Sequence, residues 1–199
     1  MKSPLIQIKN LHVSISTFLP EHLAASASYL EPSTFAPAVP ASPASDALTP
    51  PALGEYWPGQ GGIYGGIRQY QEGLCHVIFA TDDLGPYAWS KTNFDLVTSR
   101  VDGRENTEAL NACDHSNPAV ENACNYGADG HCDFYLPSIG ELNHAWQFIP
   151  DSFAKEAYWS SSQRSANYAF LMYFDGGSQY SGDKNNEVRV RPVRRLPIH

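Results

Sequence analysis

Charged residues and long apolar runs are the features that this sequence has least of. Asp, Glu, Lys and Arg make up 17% of its 199 residues, and the formal net charge is -8. A nucleic-acid-binding surface needs a concentrated basic face. The densest basic run is residues 189–195, which we interpret as a solvated or salt-bridged strand, so no nucleic-acid partner is expected. No run reaches the roughly 20 apolar residues of a membrane-spanning helix, which predicts no membrane insertion.

The first residues also lack the continuous apolar core that a secretory signal peptide carries. Polar side chains interrupt this part of the chain at Lys2, Gln7, Lys9, Asn10 and His12. We therefore expect the protein to be made and folded in a cytoplasm.

Cysteine is scarce, and its spacing is not that of a zinc site. Cys113, Cys124 and Cys132 lack the closely spaced pair that zinc sites usually carry. Free thiols are the favoured interpretation, with a disulfide within this group and a metal site as open alternatives. Cys75 lies in an apolar segment and is interpreted as a small buried hydrophobic residue. No metal ligand is predicted.

Motifs for catalysis are missing as well. The serines at 160–162 have no G-x-S-x-G elbow around them. The glycine pairs near residue 63 are not followed by the Lys-Ser/Thr of a phosphate-binding loop. The histidines are scattered along the chain. We predict no catalytic residue and no enzymatic activity.

Glycine, proline and aromatic residues are plentiful, and their distribution divides the chain into three parts. Residues 1–30 combine β-branched residues with a short helical pattern, and we interpret them as an N-terminal attachment or oligomerisation segment. Residues 31–53 are rich in Pro, Ala and Ser, which predicts a semi-rigid linker, with simple disorder as the alternative. Residues 54–199 are long enough for one domain with a hydrophobic core.

The best-marked local structure begins at Ser138. Ser138 and Glu141 have the spacing of a capping box, in which each side chain satisfies a backbone N–H at the start of a helix. Pro150 is expected to end this helix. Four apolar residues at helical spacing predict one buried face: Leu142, Ala145, Trp146 and Ile149.

Two shorter helices are predicted upstream. Asn106 is expected to cap a helix that runs through Leu110. Asn117 is expected to cap a second helix, with Pro118 at its first position and Gly127 past its end. Together they are predicted to form a helical layer over one face of a sheet.

Strand patterns dominate the C-terminal third. Residues 168–174 have the composition of a strand with alternate residues buried, and residues 175–177 that of a turn. The last strand is predicted to alternate inward valines with outward arginines: Val188, Arg189, Val190 and Arg191.

Several motifs occur in the order found in one family. They are Leu136-Pro137-Ser138 with Glu141-Leu142, Tyr158-Trp159-Ser160-Ser161-Ser162, Ala169, Phe174-Asp175-Gly176-Gly177 and Val190-Arg191-Pro192-Val193-Arg194. In these motifs the chain resembles the C-terminal domain family of the Legionella collagen-like adhesin. The stretch from Trp57 to Ile67, and Asp102-Gly103 followed by Asn106-Thr107, resemble the phage tail-protein members. The resemblance covers residues 54–199.

The resemblance implies a C-type-lectin-like α+β fold, with short antiparallel sheets and two or more helices. It also implies a phage tail-fibre or baseplate-tip protein whose head binds a host cell-surface receptor without catalysis. The alternatives are a structural tail or baseplate subunit that binds other virion proteins, a variable protein of a diversity-generating retroelement, and a bacterial adhesin. The same broad fold includes the formylglycine-generating enzymes, but their C-terminal cysteine pair has no counterpart after Cys132.

Residues 160–186 are the predicted ligand-binding region because they are rich in Tyr, Ser, Gly and Asn. Antibody paratopes use these residues, since a rigid aromatic ring supplies contact area and small polar groups adapt their hydrogen bonds. The expected ligand is a glycan or protein receptor on the host cell. The candidate ligand-binding residues are Ser165, Asn167, Tyr168, Tyr173, Ser178, Tyr180, Asp183, Asn185 and Asn186.

No cofactor is predicted, and calcium is weighed for one loop only. Oxygen-bearing side chains are close together at Asp183, Asn185, Asn186 and Glu187, as calcium prefers. The Glu-Pro-Asn and Trp-Asn-Asp triplets of calcium-dependent lectins are missing, so an ordinary polar loop is favoured.

The resemblance also sets expectations about assembly. Residues 1–30 are expected to contact other tail or baseplate proteins. A homotrimer is expected, because weak sites gain avidity when several are displayed together. The expected location is the tail tip of the virion, after assembly in the bacterial cytoplasm.

Overall fold

A computed structural model of the protein describes residues 48–96 and 98–199. The attachment segment predicted at residues 1–30, and the predicted linker as far as residue 47, lie outside these residues. The described residues belong to one compact unit. The described elements are mixed α+β, as predicted, with three α-helices and two β-sheets.

The first sheet has four antiparallel strands in the order β1-β2-β3-β9. Its strands are β1 (Tyr56–Trp57), β2 (Gly62–Tyr70), β3 (Gly73–Phe79) and β9 (Val193–Pro197). Glycine permits close packing here, because a Cβ added at Gly62 would collide with the Phe79 carbonyl on the neighbouring strand.

The second sheet has five strands in the order β4-β8-β5-β6-β7. Its strands are β4 (Pro86–Ala88), β5 (Ala157–Gln163), β6 (Tyr168–Tyr173), β7 (Ser178–Asp183) and β8 (Glu187–Arg189). β8 pairs parallel with β5, whereas the other pairs are antiparallel, so the prediction of antiparallel sheets is correct except for this pair. β7 forms one edge of the sheet.

The first two helices, α1 (Gly103–Asn111) and α2 (Pro118–Cys124), correct two predicted caps. α1 begins after Asp102, whose carboxylate accepts from the Glu105 N–H, and Asn106 lies inside the helix. The Asn106 amide instead binds the Ser99 backbone and the Ser161 hydroxyl. Asn117 occupies the N-cap position of α2, but its amide donates to the Leu110 carbonyl and caps no N–H of the helix.

The remaining predictions for these helices concern the two ends of α2. Pro118 occupies the first turn of α2 as predicted, and the helix ends at Cys124, before Gly127. Carboxylates serve the N–H groups at the helix starts instead, because Asp102 and Glu141 accept from the N–H groups of Glu105 and Gly103, and Glu121 accepts from that of Asn117.

The third helix, α3 (Ile139–Phe148), confirms the predicted capping box at Ser138 and Glu141. Three of the four residues on its predicted apolar face, Leu142, Ala145 and Ile149, are buried. Trp146 is 38% exposed, so its predicted burial is wrong. The helix ends before Pro150, which begins a short 3₁₀ turn.

β6 separates two hydrophobic cores, and this overturns the predicted alternation of burial along it. Phe170 and Met172 pack with α3 and the first sheet. Ala169 and Leu171 pack on the opposite face with α1, α2 and β5. A strand with a core on both faces buries every inner residue, whereas alternation requires one solvated face.

The C-terminal arginines are more buried than predicted. The predicted strand ends at Arg189, and Arg191 follows it with 4% exposure, so its outward orientation is wrong. The Arg191 guanidinium donates to the carbonyls of Ala80, Thr81 and Ser152 at 2.6–2.7 Å. These bonds tie the loop after β3 and the 3₁₀ turn at Ser152 to one buried guanidinium. Val190 is buried and Val188 is half-buried, in agreement with their predicted inward direction.

None of the helices within residues 48–96 and 98–199 is long and apolar enough to cross a membrane.

Candidate ligand-binding groove

The β6–β7 hairpin determines which predicted site residues share a surface. Leu171 lies opposite Tyr180 in the ladder, and Tyr173 lies opposite Ser178. Directly opposed residues point to the same face of a sheet. Tyr173, Ser178 and Tyr180 therefore share the face that carries Leu171.

The turn between these strands is tightly constrained. Gly177 has a φ of 70°, a left-handed conformation that favours glycine, and its N–H donates to the Tyr173 carbonyl at 2.9 Å. A Cβ at this position would collide with the Trp146 indole. Trp146 stays partly exposed because it covers this surface turn, and it helps to fix the end of the hairpin that carries Tyr173.

Two exposed tyrosines lie in contact with each other at this end of the sheet. Tyr180 is 60% exposed and Tyr173 is 39% exposed. Their ring centroids are 5.7 Å apart and the ring planes are perpendicular. Exposed aromatic rings held against each other form a rigid contact surface that loses little conformational entropy on binding.

These rings belong to a groove with a volume of about 580 Å³. Four of the nine predicted site residues, Tyr173, Ser178, Tyr180 and Asn186, line it. The other lining residues were not predicted: Leu171, Asp175, Ser181, Gly182 and Val188. Gly182 keeps the floor low, because a Cβ there would press against Leu171 and the Trp159 indole.

Several polar groups in this groove have no partner in the part of the chain that the structure describes. Among the described residues, the side chains of Asp175, Ser178 and Asn186 form no hydrogen bond or ion pair. The hydroxyls of Tyr173 and Tyr180 also form no hydrogen bond to any residue in 48–96 or 98–199. An arrangement of aromatic surface with free donors and acceptors is what ligand sites use for orientation and specificity.

A second depression of about 450 Å³ continues the groove across the sheet. The two share Tyr173, Asp175 and Val188, and the second is also lined by Pro86, Lys155, Glu156, Ala157, Glu187 and Arg189. Its charged end is organised by an ion pair in which Arg189 donates to both Glu156 oxygens, at 2.7 and 3.0 Å. This pair lowers the pKa of Glu156. The combined groove is therefore aromatic at one end and charged at the other.

Lys184 anchors the β7–β8 loop, which supplies Asn186 to the groove. Its side chain is fully buried, and its ammonium group donates to the Phe94 carbonyl at 2.7 Å. The ammonium group also lies over the rings of Trp89 and Phe94, 4.6 and 4.4 Å from their centroids. Burial lowers the pKa of Lys184 to about 8. A lysine in a polar loop gives no sequence signal for such burial.

The remaining five predicted site residues gather at the other end of the β6–β7 hairpin. They are Ser165, Asn167, Tyr168, Asp183 and Asn185. Tyr168 is 45% exposed, lies opposite Asp183 and points to the face opposite the groove. The Asp183 carboxylate accepts from the Asn185 backbone and amide. The predicted site is thus divided into two separate surfaces.

The loop weighed for calcium and the cysteines show no metal arrangement. Within residues 48–96 and 98–199, no three His, Cys, Asp or Glu side chains come together to hold a metal ion. All four cysteines are free thiols, and Cys75 is buried in β3 as predicted.

The three serines of the aromatic-serine motif have structural hydrogen bonds. Ser160, Ser161 and Ser162 are completely buried in β5. The Ser160 hydroxyl donates to the Phe170 carbonyl, and the Ser162 hydroxyl donates to the Ser99 carbonyl. These bonds replace ladder contacts at the register shift in β5.

No protein-family model matches this chain, and no curated protein sequence matches it significantly.

Proposed function

We propose that residues 54–199 form a non-catalytic, C-type-lectin-like binding head of a phage tail fibre or baseplate tip. In this proposal the groove next to Tyr173 and Tyr180 contacts a receptor on the surface of the host cell. The observation that carries it is the pair of exposed, perpendicular tyrosines beside three polar side chains that have no partner among the described residues. Rigid aromatic anchors with adaptable polar neighbours are typical of recognition surfaces.

The positions of the family motifs support the lectin-like fold. The Trp57–Ile67 motif forms β1 and much of β2, and the aromatic-serine motif forms β5. The Phe174–Gly177 motif is the turn of the β6–β7 hairpin, and Val190–Arg194 leads into β9. These motifs form the scaffold, so the resemblance supports the fold more directly than it supports any particular ligand.

The same proposal assigns an assembly role to the rest of the protein. A shallow groove of this size gives weak binding as a single copy, and display of several copies multiplies the apparent affinity. The protein is therefore proposed to act as a homotrimer, with residues 1–30 attached to other tail or baseplate proteins. Assembly would occur in the bacterial cytoplasm and action at the tail tip of the virion.

A structural tail subunit is the second candidate, and a different surface favours it. The outer face of the first sheet exposes Ile67, Leu74 and Ile198 at 48%, 50% and 40%. An exposed apolar surface of this kind is common where proteins associate. In that case the head would bind virion proteins through the first sheet, and the tyrosine groove would be dispensable.

The test is binding of the full-length protein to intact cells of the bacterium that carries or hosts the gene. The variant Y173A/Y180A is expected to bind at least about tenfold more weakly, since aromatic anchors dominate recognition energies. Y168A is the matched control, because it removes an equally exposed tyrosine from the same strand on the opposite face. Unchanged binding by Y173A/Y180A, with native thermal unfolding, would favour the structural subunit.

A further inference from the structure

The tyrosine groove contains a single charged side chain among its lining residues. That side chain is Asp175, and the other eight lining residues are neutral. Its carboxylate accepts no hydrogen bond and forms no ion pair with any described residue. The nearby arginine of the adjoining depression, Arg189, is already paired with Glu156. The adjoining depression also contains Lys155 and Glu187, which form no ion pair among the described residues, so the two depressions together are lined by three carboxylates and two cations and keep a negative net charge.

The two perpendicular tyrosines, like the Asp175 carboxylate, favour a cationic ligand. The face of an aromatic ring is negative, so it attracts cations within about 6 Å of the ring centroid. Two rings at right angles can contact one bound group from two sides. Tetrahedral alkylammonium groups are bound in this manner by aromatic corners and cages, in which a nearby carboxylate supplies the counter-charge.

The net charge of the whole protein also favours a cationic ligand over an anionic one. The formal net charge is -8, so phosphate, sulfate and uronate groups are repelled at long range while cations are attracted. A polyanionic ligand would also have to approach Asp175 with no free cation among the residues that line the tyrosine groove.

We propose that the groove binds an alkylammonium group of its ligand, held between Tyr173, Tyr180 and the carboxylate of Asp175. This inference rests on the proposed function, because it names the chemistry by which the same groove recognises a receptor. Two sources carry this chemistry: a quaternary ammonium such as choline, and a primary ammonium such as a lysine side chain or an amino sugar. The quaternary group binds through charge and the rings alone, whereas the primary group also donates hydrogen bonds to Asp175 and Ser178.

The test measures binding of small probes to the full-length protein by NMR chemical-shift titration. The probes are choline, N-acetyl-lysine methylamide and glucosamine, and 3,3-dimethylbutanol is the neutral molecule with the shape of choline. At least one cation is expected to bind more than about fivefold more tightly than the neutral molecule, as expected from cation–π attraction plus a carboxylate. Higher salt is expected to weaken only the cations. Choline as the best probe would identify a quaternary source, and lysine or glucosamine as the best would identify a primary one.

Variants locate the site. D175N is expected to weaken the best cation by about two- to fivefold, and Y173A/Y180A by about tenfold. Y168A and D183N, which alter the other end of the hairpin, are expected to stay within about twofold. Binding of all three cations no tighter than that of 3,3-dimethylbutanol, or no cation binding up to high millimolar concentration, would overturn the proposal. If Y173A/Y180A still abolished cell binding in that case, the groove would remain a receptor site of different chemistry; if cell binding survived, the proposed function would fail as well.

Discussion

The ammonium group of Lys184 donates a 2.7 Å hydrogen bond to the carbonyl of Phe94, although the two residues are 90 positions apart in the chain. This bond ties the β7–β8 loop to the loop that follows β4. Asn186 lies two residues beyond Lys184 and lines the tyrosine groove. The position of Asn186 in the groove therefore depends on a buried charged residue in the same loop.

Replacing Lys184 should change how stability depends on pH. The folded pKa of about 8 is below the ordinary value of 10.5, so the unfolded chain binds a proton that the folded protein releases between these values. The free energy of unfolding therefore rises from pH 8 to pH 10 through this group, by about 1–3 kcal/mol. K184M is expected to lose that rise, as measured by urea unfolding at several pH values.

K155M is the control for this experiment, because Lys155 is exposed and forms no ion pair in the described part of the chain. Burial raises the pKa of Tyr70, Tyr135 and Tyr158 above 10. These tyrosines are present in the wild type, K184M and K155M, so their ionisation affects the three proteins alike. Their contribution lowers stability only as the pH rises past 10. A K184M curve parallel to that of the wild type would contradict the assignment.

Glu141 is predicted to be the most sensitive carboxylate for stability. Its two oxygens accept from the hydroxyls of Tyr70, Tyr135 and Ser138 and from the N–H groups of Gly103 and Ser138. An amide at this position replaces one acceptor oxygen by a donor, which leaves buried donors unpaired. E141Q is expected to cost about 2–4 kcal/mol in chemical denaturation. E108Q, on the exposed side of α1, should change stability by less than about 0.5 kcal/mol.

The guanidinium of Arg191 should not be replaceable by an ammonium group. It donates to three loop carbonyls from one planar fork, which the single nitrogen of lysine cannot reproduce. R191K is expected to lose about 2–4 kcal/mol of stability. R164K, at an exposed arginine with one 3.2 Å bond to Ser181, is the matched control and should unfold like the wild type. Equal stability of the two variants would show that the fork geometry is unimportant.

Two adjacent glycines in the β6–β7 turn are expected to respond differently to substitution by alanine. G177A combines a left-handed backbone with a collision against Trp146, so it is expected to cost about 1–3 kcal/mol. It should also weaken ligand binding, because the turn positions Tyr173. G176A has open space around it and no left-handed φ, so it should leave both properties nearly unchanged. Calorimetry and the cell-binding assay check the two effects, and normal behaviour of G177A would argue against a constrained turn.

Local signals in the sequence were enough for the elements whose determinants are close together in the chain. The capping box at Ser138 and Glu141 requires only four consecutive residues, and it predicted the start of α3 correctly. The same kind of signal gave wrong side-chain caps at Asn106 and Asn117, because their amides bind groups that the tertiary fold brings near them. Arg191 is buried because it binds Ala80 and Thr81, more than 100 positions away, and no local pattern contains that information.

The candidate site, like the fold, was predicted only where its residues are close together in the chain. Residue composition identified Tyr173 and Tyr180, which neighbour each other across a short hairpin. Composition also grouped them with Tyr168, although strand alternation and the register place Tyr168 on the other face. Val188 reaches the groove through the parallel pairing of β8 with β5, a long-range contact that the sequence pattern does not encode.

The most direct test of the central claim is hydroxyl-radical footprinting of the full-length protein, free and bound to host cells. Tyr173, Tyr180 and Tyr168 are all exposed, so each is modified in the free protein and serves as its own probe. A receptor in the groove is predicted to protect Tyr173 and Tyr180 severalfold while Tyr168 stays reactive. Protection of Tyr168 with Tyr173 and Tyr180 still reactive would place binding at the other end of the hairpin and contradict the account.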